Sequence, residues 1–325
     1  MEKHEHRMER KLMRRKKNTT ISGNRKMTVF WPIVFLAPFI ICFLLFNIYP
    51  IIYTFITSFY NWDGIGEKIF IGFTNYKKIL FDDVNFRKSI FSTIRIIILS
   101  YPIAIFFGLV LAVFLSGLRK GSHVAQTVNF LPYITTPVAI GLIFAFLFDR
   151  SSGIVNKLLT QVGLIDEHMN WLGDSSLAYL VVVFMIVWKC TGYYMAVYSA
   201  GITSISEEIY EAAKVDGANA WTTFWKITVP LVKPITVFVV ITSLINGLQL
   251  FDEPSLLFAG SGTGARVVGG PERSCLTIVW NFYDVSFQTT SRLGYGSAIA
   301  VILFVIIVIF ASIGMKIMNG SGDEK

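Results

Sequence analysis

Charge is scarce in this 325-residue chain. Asp, Glu, Lys and Arg together make up 15% of it, where a soluble domain carries roughly 25%. With 54% hydrophobic residues and a mean hydropathy of +0.59, this excludes a soluble protein, and with it disorder, collagen and a disulfide scaffold. The three cysteines, Cys42, Cys190 and Cys275, have no CxxC spacing and read as ordinary small apolar residues. His123 and His168 stand alone, and no HExxH, paired catalytic carboxylates or Ser-His-Asp set can be assembled from spacing. No Gly-Lys pair occurs anywhere, so the chain lacks GxxxxGK[ST] and has no ATP-binding loop of its own. These absences speak against a self-contained enzyme.

What is present is a series of long apolar runs. Windows of about 19 residues give six spans, near 30–56, 91–116, 124–148, 177–200, 229–258 and 293–318. Each is continuous rather than alternating over about 10 residues, which predicts helices and not barrel strands. The fold class is therefore all-α and polytopic, with a basic tail over 1–28, a six-span domain over 29–318 and a short tail over 319–325. Pro32, Pro38, Pro50, Pro102, Pro132, Pro137 and Pro254 fall within spans and favour kinks.

Where the charge sits gives the topology. Ten of the 29 basic residues lie in residues 1–28, and the apolar stretch behind them is too long for a signal peptide and lacks a cleavage site. His4 and His6 in this tail read as part of a solvated segment near anionic lipid, not as metal ligands. With the N-terminus inside, the inner segments hold 17 basic residues and the outer ones 10, which places both termini in the cytoplasm by the positive-inside rule. Most of that bias comes from the tail; without it the counts are 7 and 10.

Between the fourth and fifth spans, residues 204–230 read as helix, turn, helix. Either Ser204 with Glu207 forms a capping box, or Ser206 caps with Glu207 and Glu208 in the first turn. Asp216-Gly217 breaks the helix, Gly217 offering the positive φ of a helix end. The first helix, with the small face of Ala212 and Ala213, is too short to bury itself. It either docks into a partner's groove or rests on lipid with Trp221, Phe224 and Trp225 as anchors.

The residues Glu211-Ala212-Ala213, Asp216-Gly217-Ala218, Phe224, Ile227, Pro230 and Pro234 resemble the EAA loop of the membrane subunits of binding-protein-dependent ABC importers. The chain is most similar to the carbohydrate-uptake branch related to the maltose transporter. Ser58-Phe59, Gly72-Phe73-Thr74-Asn75-Tyr76, Phe130-Leu131-Pro132, Phe251-Asp252-Glu253-Pro254, Gly269-Gly270-Pro271 and Gly294-Tyr295-Gly296-Ser297-Ala298 extend the similarity over nearly all of the chain beyond the tail. The resemblance implies a type I importer permease in the cytoplasmic membrane that moves a sugar or oligosaccharide by alternating access. It implies as partners a second permease subunit, two cytoplasmic ATPase subunits and an extracytoplasmic solute-binding protein, and no nucleic acid. ATP and Mg would be used by the partner ATPase, with no cofactor on this chain. Glu211, Ala212, Ala213, Asp216, Gly217, Ile227 and Pro230 would form the coupling element. One departure is a long Gly-rich outer loop over 259–271, where the family usually has a shorter connection.

Polar residues inside spans are costly and tend to face an interior or a cavity. In the fifth span Asn246, Gln249 and Glu253, at i, i+3 and i+7, are expected to share one helical face with Asp252 beside it. The fourth span adds Trp188, Lys189, Tyr193 and Tyr194, whose rings suit the apolar face of a sugar while amides and carboxylates suit its hydroxyl edge. Against this stand helix–helix hydrogen bonding and ring packing. Arg95 lies near the outer end of its span and is expected to snorkel to headgroups. Rival readings are an importer for another solute, an ion-coupled secondary transporter using Asp252, Glu253 or Lys189, and a membrane enzyme or receptor. Gly217→Pro should preserve membrane insertion while uncoupling ATP hydrolysis from uptake, since it disrupts the turn and not a span; normal substrate-stimulated ATPase activity and uptake would refute the coupling role.

Overall fold

The computed structural model describes residues 25–118, 121–260, 268–288 and 290–320. Most of the basic tail with His4 and His6, the Arg119-Lys120 pair, the centre of the Gly-rich outer loop and the last five residues lie outside the described residues. The chain divides into two units, residues 1–56 and 57–325.

The first unit is helical. α1 (Arg25–Phe43) runs through a π turn (Leu44–Ile48) into α2 (Tyr49–Thr57), whose end crosses the unit boundary. The wide turn has a local cause in Pro50, which has no N–H and whose ring crowds the carbonyl four residues earlier. The helix opens by one residue, so that the Tyr49 N–H donates to the Leu44 carbonyl.

The second unit begins with a small hairpin, β1 (Tyr60–Asn61) against β2 (Ile69–Phe70), antiparallel with Tyr60 opposite Phe70. The Gly72–Tyr76 motif staples it. Asn75, on α3 (Thr74–Lys77), donates through Nδ2 to the Ser58 and Tyr60 carbonyls at 2.9 and 3.0 Å. α4 (Val84–Ser116) starts on Asp83, whose carboxylate accepts from the Asn85 and Phe86 N–H groups and also from the Tyr295 hydroxyl at 2.7 Å. α4 continues past Pro102 as one helix.

The third span is not one straight helix. α5 (Ser122–Ile134) and α6 (Pro137–Leu147) meet at a 93° bend. Thr135 and Thr136 are extended and Pro137 opens α6, as expected when the residue before proline is driven out of the helical region. α7 (Ile154–Gln161) then carries the fully buried Asn156, which donates to the Arg150 and Met169 carbonyls and accepts from Trp171 Nε1 at 2.8 Å. α8 (Ser175–Ile202) follows, capped by Asp174.

The inner loop holds α9 (Glu207–Val215) and α10 (Ala220–Thr223). A second π turn (Phe224–Thr228) leads to α11 (Val229–Leu231), with the Val229 N–H donating to the Phe224 carbonyl just before Pro230. This repeats the device seen before Pro50. A 67° bend at Val232 precedes α12 (Lys233–Leu248).

The fifth span departs most from expectation. α12 stops at Leu248, the Gln249 and Leu250 N–H groups turn back to the Asn246 and Gly247 carbonyls, and a new helix, α13 (Asp252–Gly260), begins. Asp252 and Glu253 sit in its first turn, where negative charge is favoured and Pro254 sacrifices no bond. A single helix over 229–258 is thus corrected to three pieces, α11, α12 and α13, and the outer connection shortens because residues 259 and 260 are helical. Gly269 and Gly270, both at positive φ, turn the chain into Pro271–Arg273. α14 (Ile278–Tyr283) and α15 (Leu293–Gly320) complete the unit. Among the described residues, four helices are long and apolar enough to cross a membrane, or up to six if each bent pair is one span.

Close approach holds these helices together. A Cβ on Gly108 of α4 would lie 2.6 Å from Tyr194 Cβ on α8, and one on Gly141 of α6 would lie 2.8 Å from the Leu256 backbone on α13. On Gly192 of α8 it would overlap the Asn129 carbonyl of α5. Gly192→Val is therefore expected to lower the thermal unfolding midpoint in detergent, at a cost of about 1–3 kcal/mol from overpacking, whereas a midpoint equal to wild type would show that α5 and α8 separate freely.

Candidate functional site

The inner loop is built by local chemistry. Ser206 caps α9 by accepting from the Glu208 N–H at 3.3 Å, while Ser204 instead donates to the Gly201 carbonyl, so the Ser206 alternative is the one formed. At the other end Gly217 adopts φ +79°. The Ala218 N–H donates to the Ala213 carbonyl and the Gly217 N–H to that of Lys214, the paired bonds of a glycine-terminated helix. Asn219 restarts the chain by accepting from the Thr222 N–H at 2.8 Å, a cap the sequence reading missed although Asn three residues before Thr carries that signal.

α9 has two unlike faces. Ala213 is 7% exposed and Tyr210 is half-buried, its hydroxyl 3.4 Å from Thr228 Oγ1 in the second π turn. Glu211, Ala212, Val215, Asp216 and Gly217 are exposed, Val215 at 88%. The two alanines expected to act together are thus divided: Ala213 packs inward and Ala212 faces out. Ile227 is half-buried and Pro230 exposed. Trp221 and Trp225 are exposed, with rings 5.7 Å apart.

The second group gathers around α8. Lys189 Nζ lies 2.5 Å from Glu253 Oε1, with the two side chains 13% and 14% exposed. Two residues that the sequence offered separately therefore form a pair, and α13 is placed so that it can. The shared face expected for Asn246, Gln249 and Glu253 does not form, because the helix breaks between them. Instead Asn246, Gln249 and Asp252 are exposed while Glu253 turns in toward Lys189. Tyr193 stacks on Tyr133 of α5 at 4.5 Å, a partner the sequence reading did not name, although Tyr133 stands next to the Pro132 of a bent span. Trp188 is 43% exposed and its ring lies 5.5 Å from that of Phe144. Tyr194 is only 2% exposed and packs on Gly108, a place in the core. Arg95 is exposed, as snorkelling requires, and its guanidinium lies 4.0 Å from the centre of the Tyr179 ring.

A cavity of about 170 Å³ adjoins this group, lined by Phe251, Asp252, Ser255, Trp280, Tyr283 and Gln288 among others. It combines aromatic rings with a hydroxyl, an amide and one carboxylate, the mixture that suits a hydroxyl-rich ligand.

Comparison with known proteins gives the family and the fold. The family described as binding-protein-dependent transport system inner membrane component matches residues 104–319. The probable ABC transporter permease protein YurN of Bacillus subtilis (strain 168) is 34% identical over 296 residues, 90% of this chain and 97% of the relative. The lactose transport system permease protein LacF of Rhizobium radiobacter is 32% identical over 279 residues, 86% of this chain and 90% of the relative. Among solved structures, a bacterial ABC transporter involved in the import of the acidic polysaccharide alginate matches with a TM-score of 0.77 at 22% identity, over 93% of this chain and 98% of that chain. At that identity the likeness is one of fold.

Lys189→Met removes the cation and leaves Glu253 poorly solvated beside α8. Thermal stability is expected to fall by about 3 kcal/mol, and adding Glu253→Gln in the same chain should recover most of the loss. Equal destabilisation by the single and double variants would mean that the pair contributes nothing as a pair.

Proposed function

The chain belongs to the family of binding-protein-dependent transport system inner membrane components, the multi-pass permeases of ABC importers, and from that premise we propose that it conducts a sugar or oligosaccharide by alternating access. Its partners on this reading are a second permease subunit, in a heterodimer, two cytoplasmic ATPase subunits that use ATP and Mg, and an extracytoplasmic solute-binding protein. Both termini lie in the cytoplasm. The lactose permease among its relatives supports the sugar, as do the aromatic, hydroxyl and amide side chains that line the cavity at Asp252.

The observation that carries the coupling role is the two-faced α9. Its outer face, with Glu211, Ala212, Val215 and Asp216, is free to enter a cleft of the ATPase, while Tyr210 and Ala213 bear on the chain behind. Gly217 fixes the turn, and the path runs on through Ile227 and Pro230 to the bend at Val232. Movement of α9 is thereby handed to α12, whose far end carries Asn246 and Gln249. Trp188, Lys189, Tyr193, Asp252 and Glu253 complete the solute path in this reading, with Tyr194 supporting them from the core. Exposed Trp221 and Trp225 anchor the second helix of the loop at the membrane surface.

Because Ala212 faces out and Ala213 packs inward, Ala212→Arg is the variant that tests docking. Purified in mild detergent, the wild-type chain should bring down a P-loop ATPase and a second six-span protein. Ala212→Arg should keep the second permease and recover the ATPase about tenfold less well, the loss of one interface hot spot. Full ATPase recovery with the variant would refute docking through this face. A wild-type chain that came down alone would refute the complex.

A further inference from the structure

Charges along this path do not balance once paired groups are set aside. Lys189 is engaged by Glu253 at 2.5 Å and offers no free positive charge. Asp252, one residue before Glu253, is exposed and forms no ion pair among the described residues. Among the described residues it is also the one charged residue lining the adjoining cavity, where Ser255 and Gln288 are neutral. Next to it along the chain Gln249 and Asn246 expose amides. A separate, more open cavity of about 500 Å³ holds Lys78 and Arg292 but also Asp82 and Asp83, and so has no net charge. Glu272 and Arg273, in the turn before α14, line neither cavity.

We propose that the stretch from Asn246 to the Asp252 cavity selects against anionic solutes. Resting on the permease reading above, this makes the transported saccharide neutral or amino-bearing, not a uronate or a sulfonate. A hydroxyl-rich ring satisfies the amides, the serine and the carboxylate by donating and accepting hydrogen bonds. Among the described residues a ligand carboxylate meets Asp252 with no free cation to offset it, because the Lys189 ammonium is already taken by Glu253. The aromatic walls, with Phe251 and Tyr283 rings 5.0 Å apart, discriminate little by charge and serve either kind of ring. Likeness of fold to the alginate transporter does not bring an acidic ligand with it, since the charges that would receive one must come from these side chains.

The test does not depend on knowing the sugar. Gln249→Cys, in the complete complex with its partner subunits, is treated with cationic (trimethylammonium) or anionic (sulfonate) ethyl methanethiosulfonate. The rate at position 249 is read by mass spectrometry of the peptide and divided by the rate for free cysteine, with and without trapped nucleotide. The normalised rates should favour the cationic reagent by about tenfold or more, the scale of focusing in a charged cleft. Adding Asp252→Asn should remove most of that preference. Ser255→Lys, which adds an ammonium to the cavity and leaves Asp252 intact, should likewise abolish it. Equal rates for the two reagents would overturn the charge selection while leaving the path intact. A preference unchanged by Asp252→Asn would overturn the assignment to that residue. Failure of both reagents in every nucleotide state would mean that Gln249 faces no water, and would overturn the path itself.

Discussion

Hydrocarbon gives apolar helices no hydrophobic reason to associate, because lipid tails are as apolar as leucine. What holds the second unit together must be close approach and polar pairing. Both are present at named places. Gly108 and Gly192 let α4 and α5 reach the backbone of α8, and Gly141 does the same between α6 and α13. The Ser92 hydroxyl donates to the Ser274 carbonyl at 2.6 Å, and Thr93 accepts from the Ile278 N–H at 3.1 Å, fixing α4 to the segment that leads into α14. Large side chains facing outward, such as Phe106 and Phe184, are free to be apolar without specifying a partner.

The same medium penalises any break in a helix, since freed backbone groups find no water there. Breaks therefore appear where something else is achieved. The stop at Leu248 and restart at Asp252 put Glu253 in the first turn of α13, from which its carboxylate reaches Lys189. A straight helix through this region would have placed Asn246, Gln249 and Glu253 on one face, and would have denied Lys189 its counter-ion. Breaking the helix separates their places: one carboxylate goes inward to neutralise a lysine, while the Asn246 and Gln249 amides and the Asp252 carboxylate stay exposed. The cost of interrupting the backbone is met by the Gln249 and Leu250 turns, whose N–H groups are satisfied within the chain.

Much of this was legible in the residues. Four of the spans follow from apolar run length alone, and the helix, turn, helix of the inner loop follows from Ser206, Asp216-Gly217 and Pro230. What was not legible is three-dimensional in origin. Hydropathy averages over a window and does not see a break such as Thr135-Thr136 or Gln249-Leu250-Phe251, because the window around each stays apolar on average. Face assignments by i, i+3, i+7 spacing fail when the helix does not persist for those seven residues. Pairing of Lys189 with Glu253, 64 positions apart, has no local signature, and neither has the stacking of Tyr133 on Tyr193. The division between Ala212 and Ala213 was hidden because a small residue serves equally for packing against one's own chain and for close approach to another.

That division bears on how motion would pass through the molecule. A helix that transmits force must be held on one side and pressed on the other. Ala213 and Tyr210 supply the held side, the latter reaching Thr228 in the π turn before Pro230. A π turn is a helix with one residue too many, and such turns occur frequently at functional sites. It stands between α9 and the 67° bend at Val232, so that under the proposed coupling role displacement of α9 would reach α12 through these two breaks, separated by the short α11. α12 then ends at the broken segment that positions Glu253. Arranged this way, a push at the inner loop does not need to compress a span. On the proposed reading it would need only to rotate α12 about Val232, and the consequence would appear at Gln249 and Asp252, where α12 has ended and α13 begins.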